Sequence, residues 1–192
     1  MRFSKWLDHW AVLPARYLFV LAILLACVSP VSAQDAEELT PPKVEGKVIV
    51  GGANFGEEIP HGVAGGAFRV YVTKRLSIEP EYLYLYHSEN DQDQIIQPNV
   101  AYDFTDPRKR FVAYGIVGAG VLHHKGRFFG NDFDTGEPRV FDTSFTTWTA
   151  SIGGGVKMFV TKRFFISPEV RVGREPIFRA TVNVGYVFAG RR

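Results

Sequence analysis

The sequence predicts an all-β chain: an eight-stranded antiparallel up-and-down transmembrane β-barrel, preceded by a cleaved signal peptide. Three observations predict it. Apolar and polar residues alternate with period two in segment after segment, so each segment has two distinct faces. No stretch keeps the i, i+3, i+4, i+7 apolar spacing of an amphipathic helix for three turns. The connections alternate between short and long, which sorts them to opposite ends of a meander. Composition agrees, with 19 Gly, 16 Phe and 8 Tyr against 2 Met and 1 Cys, a bias toward strands and tight turns. At 192 residues the chain suits one domain, and a formal charge of +2 excludes a nucleic-acid surface built on strong basicity.

Residues 1–33 read as the signal peptide. Arg2, Lys5 and Arg16 form a basic start, "YLFVLAILLACV" an apolar run, and "VSA" a small-residue cleavage site. The apolar run is twelve residues, too short to cross a bilayer as a helix. Cys27 stands in "LLAC", which loosely resembles a lipobox, but the good Ala-type site after it makes Cys27 an ordinary apolar signal residue. The mature chain then holds no cysteine and no disulfide. Residues 34–45, "QDAEELTPPKVE", are polar and proline-bearing and read as a flexible periplasmic lead-in. The barrel follows over 46–188, with residues 189–192 as a C-terminal tail.

Eight strands are expected near 46–54, 62–72, 76–86, 95–104, 110–123, 144–160, 164–173 and 177–188. In "IFRATVNVGYVF", Phe178, Ala180, Val182, Val184, Tyr186 and Phe188 share one face, while Arg179, Thr181, Asn183 and Gly185 share the other. "IIQPNVAYDF" and "FFISPEVRV" divide in the same way. Alternation alone fits a soluble sandwich or a membrane barrel, because the two differ only in which face meets solvent. Export, the even strand number, the alternating loop lengths and aromatics at strand ends favour the barrel; those aromatics are Tyr82, Tyr84, Tyr86, Tyr102, Phe104, Phe164, Tyr186 and Phe188. Pro80, Pro98 and Pro168 fall inside strands, and each is expected to mark a bulge or a strand end. "VTKR" occurs twice, at 72–75 and 160–163, and the offset of 88 residues relates strands two and three to strands six and seven.

The signal peptide, the two-faced strands, the runs "GGAF" and "GGGVKMFVTKR" and the closing "NVGYVF" together resemble the eight-stranded outer-membrane β-barrel family, the OmpA/OmpX-like transmembrane domain. The family usually ends on its terminal aromatic, whereas here "AGRR" follows Phe188, which sets the assembly signal slightly inward. The resemblance implies the bacterial outer membrane as location. It implies outer-membrane lipid, lipopolysaccharide and the barrel-assembly machinery as partners, with a surface partner engaged through the loops at 55–60, 87–94 and 124–142. Its implied role is structural or surface-interacting and non-enzymatic. The alternatives are a barrel that binds or passes an apolar solute and, behind it, a lipid A-modifying barrel enzyme.

The residues that carry chemistry are charges on the non-aromatic faces: Arg69, Glu79, Glu81, Asp103, Lys157, Glu169, Arg171 and Arg179. In a narrow eight-stranded lumen they must pair, forming a polar plug rather than an ion path. Arg69 and Lys157, and likewise Glu81 and Glu169, occupy equivalent places in the repeat. His87 and Ser88 are adjacent on a strand and point apart, so they form no catalytic pair. His123 and His124 lack a third ligand in sequence, and "SENDQD" at 88–93 reads first as a solvated acidic loop, with a divalent-cation site bridging lipopolysaccharide phosphates as its alternative. The sequence therefore names no catalytic residue, no cofactor and no metal ligand set.

Overall fold

The structure, a computed structural model, describes residues 39–55, 60–88, 91–131 and 138–191. The expected signal peptide, Cys27, the lead-in up to residue 38 and the last tail residue lie outside the described residues. The strands are β1 (Val44–Asn54), β2 (Pro60–Tyr71), β3 (Leu76–Ser88), β4 (Asp91–Asp103), β5 (Phe111–Asn131), β6 (Pro138–Phe159), β7 (Phe164–Arg174) and β8 (Phe178–Ala189). Each pairs antiparallel with the next, and β8 returns to β1, closing the barrel. Closure removes the unpaired edges that an open sheet would expose, a requirement in lipid, where no water can satisfy a backbone group.

Alternation decides which side chain goes where. Val48, Ile78, Ile96, Val117, Ile152, Val170 and Val184 point outward and are exposed, while their chain neighbours point into the barrel and are buried or half-buried. The outer surface is thus apolar, and the interior carries a broad polar stratum of the kind a water-soluble fold would turn outward. Aromatics gather at one rim, with Phe164 4.8 Å from Tyr186, Tyr186 5.2 Å from Phe188, and Tyr102 5.7 Å from Phe104. Rings of this kind suit the boundary between lipid and water.

Three expectations from sequence are corrected. Pro80, Pro98 and Pro168 mark neither bulges nor strand ends. Pro80 and Pro98 lie directly opposite each other in β3 and β4. The β2–β3 ladder instead lapses between Ala67↔Glu81 and Val70↔Ile78, β4–β5 between Ile96↔Val121 and Asn99↔Gly118, and β6–β7 between Gly155↔Glu169 and Met158↔Ile166, each with its register unchanged. A missing N–H affects one neighbour only, and the other ladder holds the strand in place. The long connection expected at 124–142 is mostly strand, because β5 and β6 stay paired from Phe111↔Met158 out to Asn131↔Pro138. The loop expected at 87–94 also shrinks, since β3 runs to Ser88 and β4 restarts at Asp91, with a register shift between Tyr86 and Ser88.

The two "VTKR" turns are built alike. Val72 and Thr73 N–H donate to the Leu76 carbonyl, as Val160 and Thr161 N–H donate to that of Phe164. Thr73 Oγ1 accepts from the N–H groups of Arg75 and Leu76 at 3.3 and 3.0 Å, and Thr161 Oγ1 accepts from those of Arg163 and Phe164 at the same distances. The third short turn holds Asp106, whose carboxyl is lowered to about 2 by hydrogen bonds from the Arg108 side chain and backbone N–H. At the same end Arg191 lies over the Phe159 ring and donates to the Pro107 and Lys109 carbonyls, so the tail folds across the barrel floor.

Candidate functional site: the barrel lumen

The interior is stratified. At the floor Val112, Phe159, Phe165 and Val187 pack together. Toward the opposite end Ile49, Ala53, Val63, Leu83, Leu85, Ile95 and Leu122 form a second apolar layer. Between them lies a charged layer. Two inward glycines make room for it: a Cβ on Gly118 of β5 would stand 2.0 Å from Asn99 Oδ1, and one on Gly155 of β6 2.8 Å from the Tyr114 hydroxyl. Asn99 and Gln97 of β4 and Tyr114 of β5 occupy the space those glycines leave.

All eight charged residues singled out in the sequence point into this interior and are buried. They gather around two nodes. At the first, Lys157 Nζ lies 3.3 Å from both Glu45 Oε1 and Asp103 Oδ2 and hydrogen-bonds to the Tyr71 hydroxyl, which donates to Asp103 Oδ2 at 2.8 Å. At the second, Arg171 donates from Nε to Glu169 Oε1 at 2.7 Å, from Nη2 to Glu81 Oε2 at 2.8 Å and from Nη1 to Asn99 Oδ1 at 3.0 Å. Arg179 Nη2 donates to the other oxygen of Glu81 at 2.9 Å.

Arg69, Glu79 and Lys47 join the nodes. Arg69 Nε donates to Glu79 Oε2 at 2.5 Å, with its Nη1 3.7 Å from Asp103 and its guanidinium over the Tyr114 ring. Lys47 Nζ stands between Glu79 Oε1 at 2.8 Å and Glu169 Oε2 at 3.2 Å, and Tyr114 donates to that same Glu169 oxygen at 2.6 Å. Among the described residues the layer holds five carboxylates (Glu45, Glu79, Glu81, Asp103, Glu169) and five cations (Lys47, Arg69, Lys157, Arg171, Arg179), so their formal charges balance. Every carboxylate in it has a cation within 4 Å. Burial on this scale is tolerable only with such pairing, since an ion left alone costs several kcal/mol.

Sequence reading missed Glu45, Lys47, Tyr71 and Tyr114. Glu45 falls at the end of the expected lead-in, one residue before the expected strand. Lys47, Tyr71 and Tyr114 share the inward parity of Glu45, Arg69 and Val112, so period-two alternation is the signal that points to them. His123 and His124 are not brought together: His123 Nδ1 lies 2.9 Å from Thr146 Oγ1, and His124 Nδ1 lies 2.8 Å from Asp93 Oδ1. His87 Nδ1 lies 3.2 Å from the Pro60 carbonyl oxygen.

The outer membrane protein β-barrel domain model matches residues 19–188. The N-terminal β-barrel domain of Pseudomonas aeruginosa OprF is similar in structure, with a TM-score of 0.55 and 19% identity over 77% of this chain and 98% of that one. Neisserial surface protein A (NspA) is similar too, with a TM-score of 0.55 and 13% identity over 76% of this chain and 96% of that one. At these identities the likeness is one of fold. No curated protein matches the sequence. A closed eight-stranded barrel with an apolar exterior, matched over most of its length, places the chain in the outer membrane protein β-barrel domain family, as a bacterial outer-membrane protein.

Proposed function

We propose that the protein is a non-enzymatic barrel whose lumen is plugged by the paired charges and whose work is done on its outer surface, through the β5–β6 ribbon. The observation that carries this reading is a contrast between inside and outside. Inside, the charged layer is balanced in formal charge and is bounded above and below by packed apolar layers. Outside, β5 and β6 continue as a two-stranded ribbon after their neighbours stop: β4 accompanies β5 as far as Gly126, and β7 accompanies β6 as far as Ala150. The ribbon carries exposed Phe129 and Val140 beside an exposed Arg127–Asp142 ion pair at 2.7 Å. Exposed apolar side chains rimmed by charge suit contact with a partner or with the acidic, lipid-bearing surface of the outer membrane.

The apolar-solute alternative would use the second apolar layer as a binding chamber. Its members pack against one another, and Ile49, Leu83, Leu85 and Ile95 have no exposed surface, which speaks for a filled layer. The test is a ribbon shortened by joining residue 126 to residue 143 through a two-residue turn. This variant is expected to keep the heat-modifiable gel mobility of a folded barrel and to lose co-sedimentation with lipopolysaccharide or whole cells. Unchanged co-sedimentation would remove the ribbon from the account.

A further inference from the structure

Above the second apolar layer, four side chains converge at the barrel mouth from three strands. His61 comes from β2, Asp91 and Asp93 from β4, and His124 from β5. Asp91 and Asp93 share a face two residues apart, and Asp93 lies directly opposite His124 in the β4–β5 ladder. His61 Nε2 stands 3.4 Å from Asp91 Oδ2 and 3.8 Å from Asp93 Oδ2, and His124 Nδ1 stands 2.8 Å from Asp93 Oδ1 and 3.7 Å from Asp91 Oδ1. Ligand atoms of His61, Asp91 and Asp93 all lie within 4.8 Å of one another. We propose that His61, Asp91, Asp93 and His124 form a binding site for a divalent transition-metal ion, Zn²⁺ by the chemistry of its donors.

Three of the four His–Asp separations are long for good hydrogen bonds, whose donor–acceptor distances cluster at about 2.9 Å. The 3.4 and 3.8 Å from His61 Nε2 to one oxygen of each aspartate approach the spacing between ligands on a tetrahedral ion, while His124 faces the other oxygen of each aspartate. With metal–ligand bonds of about 2.0–2.1 Å, the edges of such a tetrahedron are about 3.3 Å. Two imidazoles and two carboxylates are a zinc-type donor set, since a hard ion such as Ca²⁺ would take oxygen alone. A second observation points the same way: among the described residues, Asp91 Oδ1 accepts no hydrogen bond although that atom is shielded from solvent, the side chain as a whole being about a third exposed.

The surroundings hold the ligands in place. The His61 ring lies edge-on to Phe55 at 4.8 Å and 5.4 Å from that of His87, while the His124 ring stacks on Phe145 at 4.7 Å. A Cβ on Gly126 would come within 2.9 Å of His124 Nε2, so that glycine leaves room for the ring. Because the apolar layer lies beneath, an ion reaches the site from the mouth. Once bound, it ties β2 to β4 and β5.

The experiment uses the untagged protein folded in detergent micelles, titrated with Zn²⁺ by calorimetry and with Co²⁺ by visible absorption. Expected are binding of about one ion per chain, an intense tetrahedral Co²⁺ band displaced by Zn²⁺, and a higher unfolding temperature with Zn²⁺ than with EDTA. His61→Gln and Asp93→Asn, each checked for folded gel mobility, should weaken binding at least about tenfold. His123→Ala, whose side chain faces Thr146, should leave it unchanged. Absence of saturable binding, or binding that survives His61→Gln and Asp93→Asn in folded protein, would overturn the proposal.

Discussion

Arg171 holds three acceptors at once, the side chains of Glu169, Glu81 and Asn99, and is almost without solvent contact. Replacing it with methionine keeps volume but leaves Glu169 and Glu81 leaning on Lys47 and Arg179. Arg171→Met should therefore destabilise the barrel by about 3–5 kcal/mol, the usual loss when one partner of a buried ion network is removed. Adding Glu81→Gln should restore part of it, because the second change removes the charge that the first leaves underpaired. Urea unfolding in lipid vesicles, followed by tryptophan fluorescence, measures both. Independent, additive losses would mean that the two side chains do not act as a unit.

At the scale of elements, the two hairpins 88 residues apart share more than four letters. They share the turn hydrogen bonds, the proline at 80 and 168, and the ladder lapse next to it. Thr73→Val and Thr161→Val each remove an acceptor from two backbone N–H groups. Each should cost about 0.5–1.5 kcal/mol, and the two losses should agree closely. A difference larger than that range would show that the turns are alike in sequence but not in role. The strands within the barrel were legible because lipid on one side and a packed lumen on the other enforce period-two alternation. The outer ends of β5 and β6 were not, since a ribbon with water on both faces needs no such pattern, and "GRFFGNDFDTGEPRVFD" reads as loop. The mouth cluster was hidden for a different reason: its residues come from three strands, and only the register aligns His124 with Asp93 and brings His61 across the opening.

For the whole molecule, inward charge and outward apolar surface belong to one solution. Lipid requires the exterior of Val48, Ile96 and Ile152, and alternation then directs the intervening residues into a lumen too narrow for bulk water. Opposite charges distributed around the wall satisfy one another there, and the resulting cross-links tie β1, β2, β3, β4, β6, β7 and β8 together across the barrel axis. The apolar floor, capped by Arg191, and the second apolar layer leave the charged stratum between two dry boundaries. An interior closed in the proposed way passes no ions. In planar-bilayer recording the folded protein is expected to give a flat baseline with no discrete current steps, whereas stable, voltage-independent steps from the unmodified protein would contradict closure.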